Sequence, residues 1–260
     1  RTMTTASEFR DFSTYDYLIK RHEFIYHYST GLWCLDKSAE KQNDGAFIAF
    51  APVFSVHDKP DISLLPPSFR ESFSELPFSF AEVDTLKKMF ESRGFKTRIF
   101  TFNDATEENF KRYIDEFSYI HIATHGIVDN NNPEYSGLVF MFKPATSEES
   151  LSENGNDGVV YARDLYPLEI NANLVVLSAC ETVTGRIEEG EGIIGLIRGF
   201  LSAGAGNVMF SFWKVGDRNT LRFMNSFYKN ILSGISYSSA IRYSKIELIN
   251  NPETSFPLLW

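Results

Sequence analysis

An α/β fold is predicted, with a mostly parallel central sheet and helices on both faces. Three observations carry it. Short apolar runs of strand length alternate with segments of helical periodicity along most of the chain. Leu174-Val-Val-Leu-Ser-Ala179 is apolar at all but one position, which suits a central parallel strand covered on both sides. The 260 residues are 43% hydrophobic and 23% charged and include 24 Phe, enough for a large core.

The elements follow in order. Ala46 to Phe50 reads as a strand closed by Pro52. Ser79, with Glu82 as its capping-box partner, opens a helix whose Val83, Leu86, Met89 and Phe90 share one face; Gly94 ends it. Phe95 to Phe102 is a strand, and Asp104 with Glu107 resembles a second capping box, for a helix through about Ile114. Tyr119 to Thr124 and Leu138 to Phe142 are strands, as is Leu174 to Ala179. A helix over Ile193 to Leu201 and a strand over Ala205 to Trp213 come next, then helices over Arg218 to Leu232 and Tyr237 to Ile249. The polar stretch Lys143 to Gly158 and the Pro- and Ser-rich stretch Asp58 to Glu75 read as long loops within one domain, because the strand order continues across both. The start, residues 1–43, is assigned to that same domain.

Composition excludes several function classes. Lys and Arg total 25 against 34 Asp and Glu, a net charge of −9, which disfavours a general nucleic-acid binder. No apolar run reaches the length of a membrane span. The two cysteines, Cys34 and Cys180, make no disulfide framework and fit a reducing, cytoplasmic setting. Cys34, beside Trp33 and Leu35, reads as core. The chain opens on Arg1 and ends in an apolar stretch, Phe256 to Trp260, and is read as a piece of a longer protein.

Ligands of open α/β sheets bind beyond the carboxyl ends of the strands. One strand there runs into Thr124-His125-Gly126, and another into Ser178-Ala179-Cys180. If the two are parallel neighbours, His125 and Cys180 face one crevice as base and nucleophile. The backbone N–H groups of Gly126 and Cys180 would then offer an oxyanion site. A lone Cys or His at a strand end is more often a packing residue, so spacing alone leaves both readings open.

The wording of the motifs goes further. Tyr119-Ile-His-Ile-Ala-Thr-His-Gly126, Asn132-Pro-Glu-Tyr-Ser-Gly-Leu-Val139 and Leu174-Val-Val-Leu-Ser-Ala-Cys-Glu-Thr182 resemble the CHAT domain family. So do Glu189-Gly-Glu-Gly-Ile-Ile-Gly195, Ser202-Ala-Gly-Ala-Gly206 and Ser211-Phe-Trp-Lys-Val-Gly-Asp217. The resemblance covers about residues 44–260 and, more weakly, the start. It implies a caspase-like fold and a cysteine endopeptidase related to separase, gingipain and metacaspases, with His125 and Cys180 as the dyad. It also implies Gly126 and Cys180 as the oxyanion donors. Family members often carry N-terminal helical repeats, and many prokaryotic members act in defence systems gated by a sensor. The partners so implied are a protein substrate and a regulatory partner acting through an N-terminal region.

Ser211, Phe212 and Trp213 are candidates for pairing with an extended peptide substrate. Asp217 is a candidate specificity acid for Arg or Lys at the cleaved position, or else a helix N-cap. Asp129 is a candidate orienter of His125, or a solvated loop acid. Glu181, Glu188, Glu189 and Glu191 would oppose a thiolate at Cys180 if they turned inward. Gly190-Glu-Gly-Ile-Ile-Gly195 matches a dinucleotide fingerprint in letters, but too many residues separate it from the preceding strand. His121 and His125 have a zinc-helix spacing, but on a strand. No cofactor or metal is expected. A catalytically silent scaffold remains the alternative to the peptidase.

Overall fold

The computed structural model describes residues 11–27, 45–52, 76–141, 157–178, 182–183, 191–211 and 215–260. The chain divides into two compact units, one of residues 27–221 and one of residues 1–26 with 222–260.

The larger unit holds a five-stranded sheet and a four-stranded sheet. The first is wholly parallel and comprises β1 (Phe47–Ala51), β2 (Thr97–Thr101), β3 (Tyr119–Ile122), β7 (Leu174–Leu177) and β9 (Val208–Phe210). Its order is β2-β1-β3-β7-β9. The second has the order β6-β5-β4-β8, from β4 (Gly126–Ile127), β5 (Gly137–Val139), β6 (Val159–Tyr161) and β8 (Thr182–Val183). The predicted parallel α/β architecture is therefore the observed one, with β7 inside the sheet as its two-sided apolar run requires.

Strand alternation splits the core into two faces. Ile48, Phe50, Ile120, Ile122, Val175 and Leu177 share one cluster with Phe110 of α2 (Glu107–Tyr113) and with Leu196 and Phe200 of α4 (Glu191–Ser202). Phe residues dominate that side: Phe50 stacks on Phe100 at 5.2 Å and meets Phe110 and Phe140 edge-on. On the other side lies α1 (Ser79–Glu91), whose Phe90 stacks on Phe47 at 4.2 Å. Burying one such ring contributes about 2 kcal/mol, which accounts for the heavy use of Phe.

Most predicted elements are present with shorter strands. Both capping boxes are corrections. Ser79 is the first residue of α1 and its hydroxyl donates to Leu76 O, while Glu82 turns into the protein. At α2 the cap is Thr106, whose Oγ1 accepts from Asn109 N–H; Asp104 lies in the preceding turn. Glu107 is buried, accepting from Lys111 Nζ at 2.6 Å and from Gly158 N–H at 3.0 Å. The predicted loop over Asp58 to Glu75, and all of Lys143 to Gly158 except its last two residues, lie outside the described residues.

The short helix α3 (Ala162–Leu165) and a turn at Pro133–Tyr135 receive α4 at very short range. A Cβ added at Gly195 would sit 2.3 Å from Pro133 O, and one at Gly199 would sit 2.9 Å from Ala162 O. The third glycine of the G-x-G-x-x-G run thus serves helix docking, where any side chain meets backbone. The smaller unit contains α6 (Tyr237–Ile249) and most of α5 (Asp217–Ile231). Arg242 of α6 donates to Ile19 O at 2.8 Å, and Trp260 packs edge-on against Tyr17 at 4.9 Å. Among the described residues no helix is long and apolar enough to cross a membrane.

Two predictions follow from this packing. Gly195→Ala should cost about 1–3 kcal/mol by overpacking, read as a thermal midpoint lowered by roughly 2–4 °C per kcal/mol; an unchanged midpoint would refute the close contact. Burial raises the Glu107 carboxyl pKa above its ordinary value, with Lys111 opposing in part. The folded state then holds that proton more tightly than the unfolded chain, so stability from this group is full at low pH and falls as pH rises through the raised value. Replacing Glu107 with Gln should flatten that fall. Denaturation of both proteins between about pH 4 and about pH 7 should show the variant gaining on the parent as pH rises; a constant difference would count against it.

Candidate active site at the carboxyl end of the sheet

Parallel pairing brings the two predicted strand ends together. Tyr119 lies opposite Leu174 and Ile122 opposite Leu177, so β3 and β7 are neighbours in a fixed register. The offset between partners equals that between His125 and Cys180. Past the ladder, Ser178 N–H donates to Ile122 O at 2.8 Å. Pairing resumes in the second sheet, where Gly126 lies opposite Thr182 and Ile127 opposite Val183. That offset is larger by one residue, so the connection holding Cys180 has one more residue than the connection holding His125.

His125 sits in the short link between β3 and β4 and is 0% exposed. Its backbone is held by β5: Val139 N–H donates to His125 O at 3.0 Å, and Thr124 Oγ1 donates to Val139 O. Gly126 is buried between Leu138 on one side and Thr182 on the other. Cys180, Phe212 and Trp213 lie outside the described residues, as do Cys34, Glu181, Glu188 and Glu189. Ser211 is half-buried and follows Phe210, the partner of Leu177 in β9. Asp217 opens α5 and Glu191 opens α4. Asp129 Oδ1 accepts from Asn131 N–H and Asn132 N–H, both at 2.9 Å, so this oxygen stabilises its own loop.

Sequence reasoning missed one cluster beside these residues. Glu82 Oε1 accepts from His121 Nε2 and from Ser178 Oγ, each at 2.7 Å. The three residues are buried, at 3%, 0% and 8% exposure. The available signal was His121 itself, an ionisable residue at an interior position of a strand whose neighbours are apolar.

The family profile of the CHAT domain matches residues 6–260. The chain belongs to the CHAT domain family. That family is caspase-like and related to peptidases, in keeping with the parallel sheet and with the motifs at its carboxyl end. The chain is also similar to tetratricopeptide repeat protein 28 of mouse, with 26% identity over 179 residues, and of human, with 27% over 180. Each match takes in 60% of this chain, and the chain spans only 7% of those relatives.

The Thr124 tether is open to test. Thr124→Val leaves the buried Val139 carbonyl without that donor and should cost about 1–3 kcal/mol in denaturant unfolding. Thr124→Ser, which keeps the hydroxyl, should lose clearly less; equal losses would assign the effect to packing.

Proposed function

We propose that this CHAT domain is a cysteine endopeptidase in which His125 and Cys180 form the catalytic dyad. The observation that supports it best is the register of β3 and β7, whose residue offset matches that of His125 and Cys180. A Cys thiol with an ordinary pKa near 8.5 is a weak nucleophile at neutral pH. His125 takes its proton, and the sulfur attacks the carbonyl carbon of the scissile peptide bond. The N–H groups of Gly126 and Cys180 receive the developing oxyanion. His125 then protonates the leaving amine, and the C–N bond breaks to leave a thioester. Water, deprotonated by His125, hydrolyses the thioester and frees the new carboxyl end.

Substrate pairs as an added strand along Ser211, Phe212 and Trp213. Support comes from β9, which is the terminal strand of its sheet among the described residues. Asp217, at the head of α5, is the candidate acid for a basic side chain at the cleavage point. Regulation is part of this reading. A fully buried His125 meets no substrate until its surroundings move, and a regulatory partner or N-terminal region supplies that movement. Tetratricopeptide repeats in the relatives' name suit such a region. A prokaryotic defence system acting in the cytoplasm is the setting that the family's motifs suggest for gating of this kind. The same burial favours the competing reading, a catalytically silent interaction domain.

A thiol-directed peptidyl electrophile separates the two. The peptidase reading expects rapid labelling of Cys180, none in Cys180→Ala, and labelling slowed by about 100-fold or more in His125→Ala. Cleavage of a peptide library should vanish in both variants. Labelling that ignores His125, or that reaches Cys34 equally, would leave the scaffold reading.

A further inference from the structure

The buried Glu82 carboxylate lies outside the chemistry just described, yet it touches both strands that feed the dyad. His121 stands on β3, upstream of His125 on the same strand end. Ser178 is the last described residue before Cys180. A single oxygen, Glu82 Oε1, accepts from His121 Nε2 and Ser178 Oγ, each at 2.7 Å. Ser178 also donates its backbone N–H to Ile122 O at 2.8 Å, so its main chain is anchored to β3 and its side chain to Glu82 of α1.

A helix anchor does not require this chemistry. Val83, Leu86 and Phe90 already bury an apolar face of α1. Taking a carboxylate out of water costs several kcal/mol, and an apolar residue of similar size would hold the helix at lower cost. What the carboxylate adds is direction. Two donors converging on one oxygen restrict the Ser178 side chain and lock the end of β7 against the end of β3.

We infer that Glu82 is a positioning residue that, through His121 and Ser178, sets the chain entering Cys180 relative to His125. The role rests on the peptidase reading for its purpose, though its mechanical content is independent of catalysis. Apolar contacts decide whether α1 docks, and the three-residue network decides where the nucleophile's strand end points.

The full chain carries the test, with Ser178→Ala, Ser178→Thr and Glu82→Gln beside the parent. Two readouts are taken on the folded protein: amide hydrogen exchange over residues 178–183, and kcat and KM on a cleaved peptide. Ser178→Ala should speed exchange in that segment by about 10-fold, with exchange in β1 and β2 unchanged. It should also lower kcat by about 10-fold or more while KM moves little. Ser178→Thr, which keeps the hydroxyl, should recover most of both losses. Glu82→Gln keeps an acceptor oxygen but loses the charge and should fall between. Should Ser178→Ala melt at a lower temperature yet keep parental exchange in 178–183 and parental kcat, the network is only structural and the inference fails. Lowered kcat with unchanged exchange overturns it too. Accelerated exchange in a chain whose parent cleaves nothing sustains the positioning role and sinks the peptidase reading instead.

Discussion

Because β3 and β7 run parallel and side by side, whatever follows one strand emerges next to whatever follows the other. This register is the constraint from which the candidate site is built. The ladder is inflexible in one respect: a slip by a single residue would turn every side chain of β7 to the opposite face. Val175 and Leu177 would leave the Phe-rich cluster, and Val176 would enter it. Burial on both faces thus holds the alignment of the two strand ends, and the candidate site inherits a geometry that core packing has already selected.

The second sheet tightens the arrangement. β4 and β8 extend the neighbour relation of β3 and β7 after a short interruption, and β5 closes over the His125 backbone from the side. The link holding His125 is thereby bracketed by hydrogen-bonded ladders. A link bracketed in this way has few conformations to lose on ordering, which lowers the entropic cost of holding the His125 side chain in place. Glu82 ties His121 of β3 to Ser178 just after β7, through side chains rather than backbone.

Much of this was legible in the residue order. The strands with long apolar runs, Phe47–Ala51 and Leu174–Leu177, announced themselves because burial on both faces demands such runs. β4 and β8 did not, since two-residue strands carry no periodicity. The capping boxes misled for a physical reason. Ser-x-x-Glu is satisfied equally by a Glu that reaches back to the cap and by one that turns into the core, and the choice depends on partners remote in sequence. Glu82 has such partners in His121 and Ser178; Glu107 has Gly158. At the second helix Thr106, the residue adjoining the first turn, took the cap in place of Asp104. The candidate dyad was visible as two strand-end motifs, whereas the buried carboxylate joining His121 to Ser178 is a long-range contact that periodicity does not encode.

The bare face of α4 has a mechanical consequence. At Gly195 the helix backbone approaches the Pro133 carbonyl directly, and at Gly199 it approaches the Ala162 carbonyl and the Leu165 side chain. Close-packed atoms transmit strain with little loss, whereas a flexible side chain would absorb it. The helix, the 133–135 turn and α3 are therefore mechanically coupled through backbone contacts, most directly at Gly195, where a displacement of the helix presses on the turn without a side chain between them.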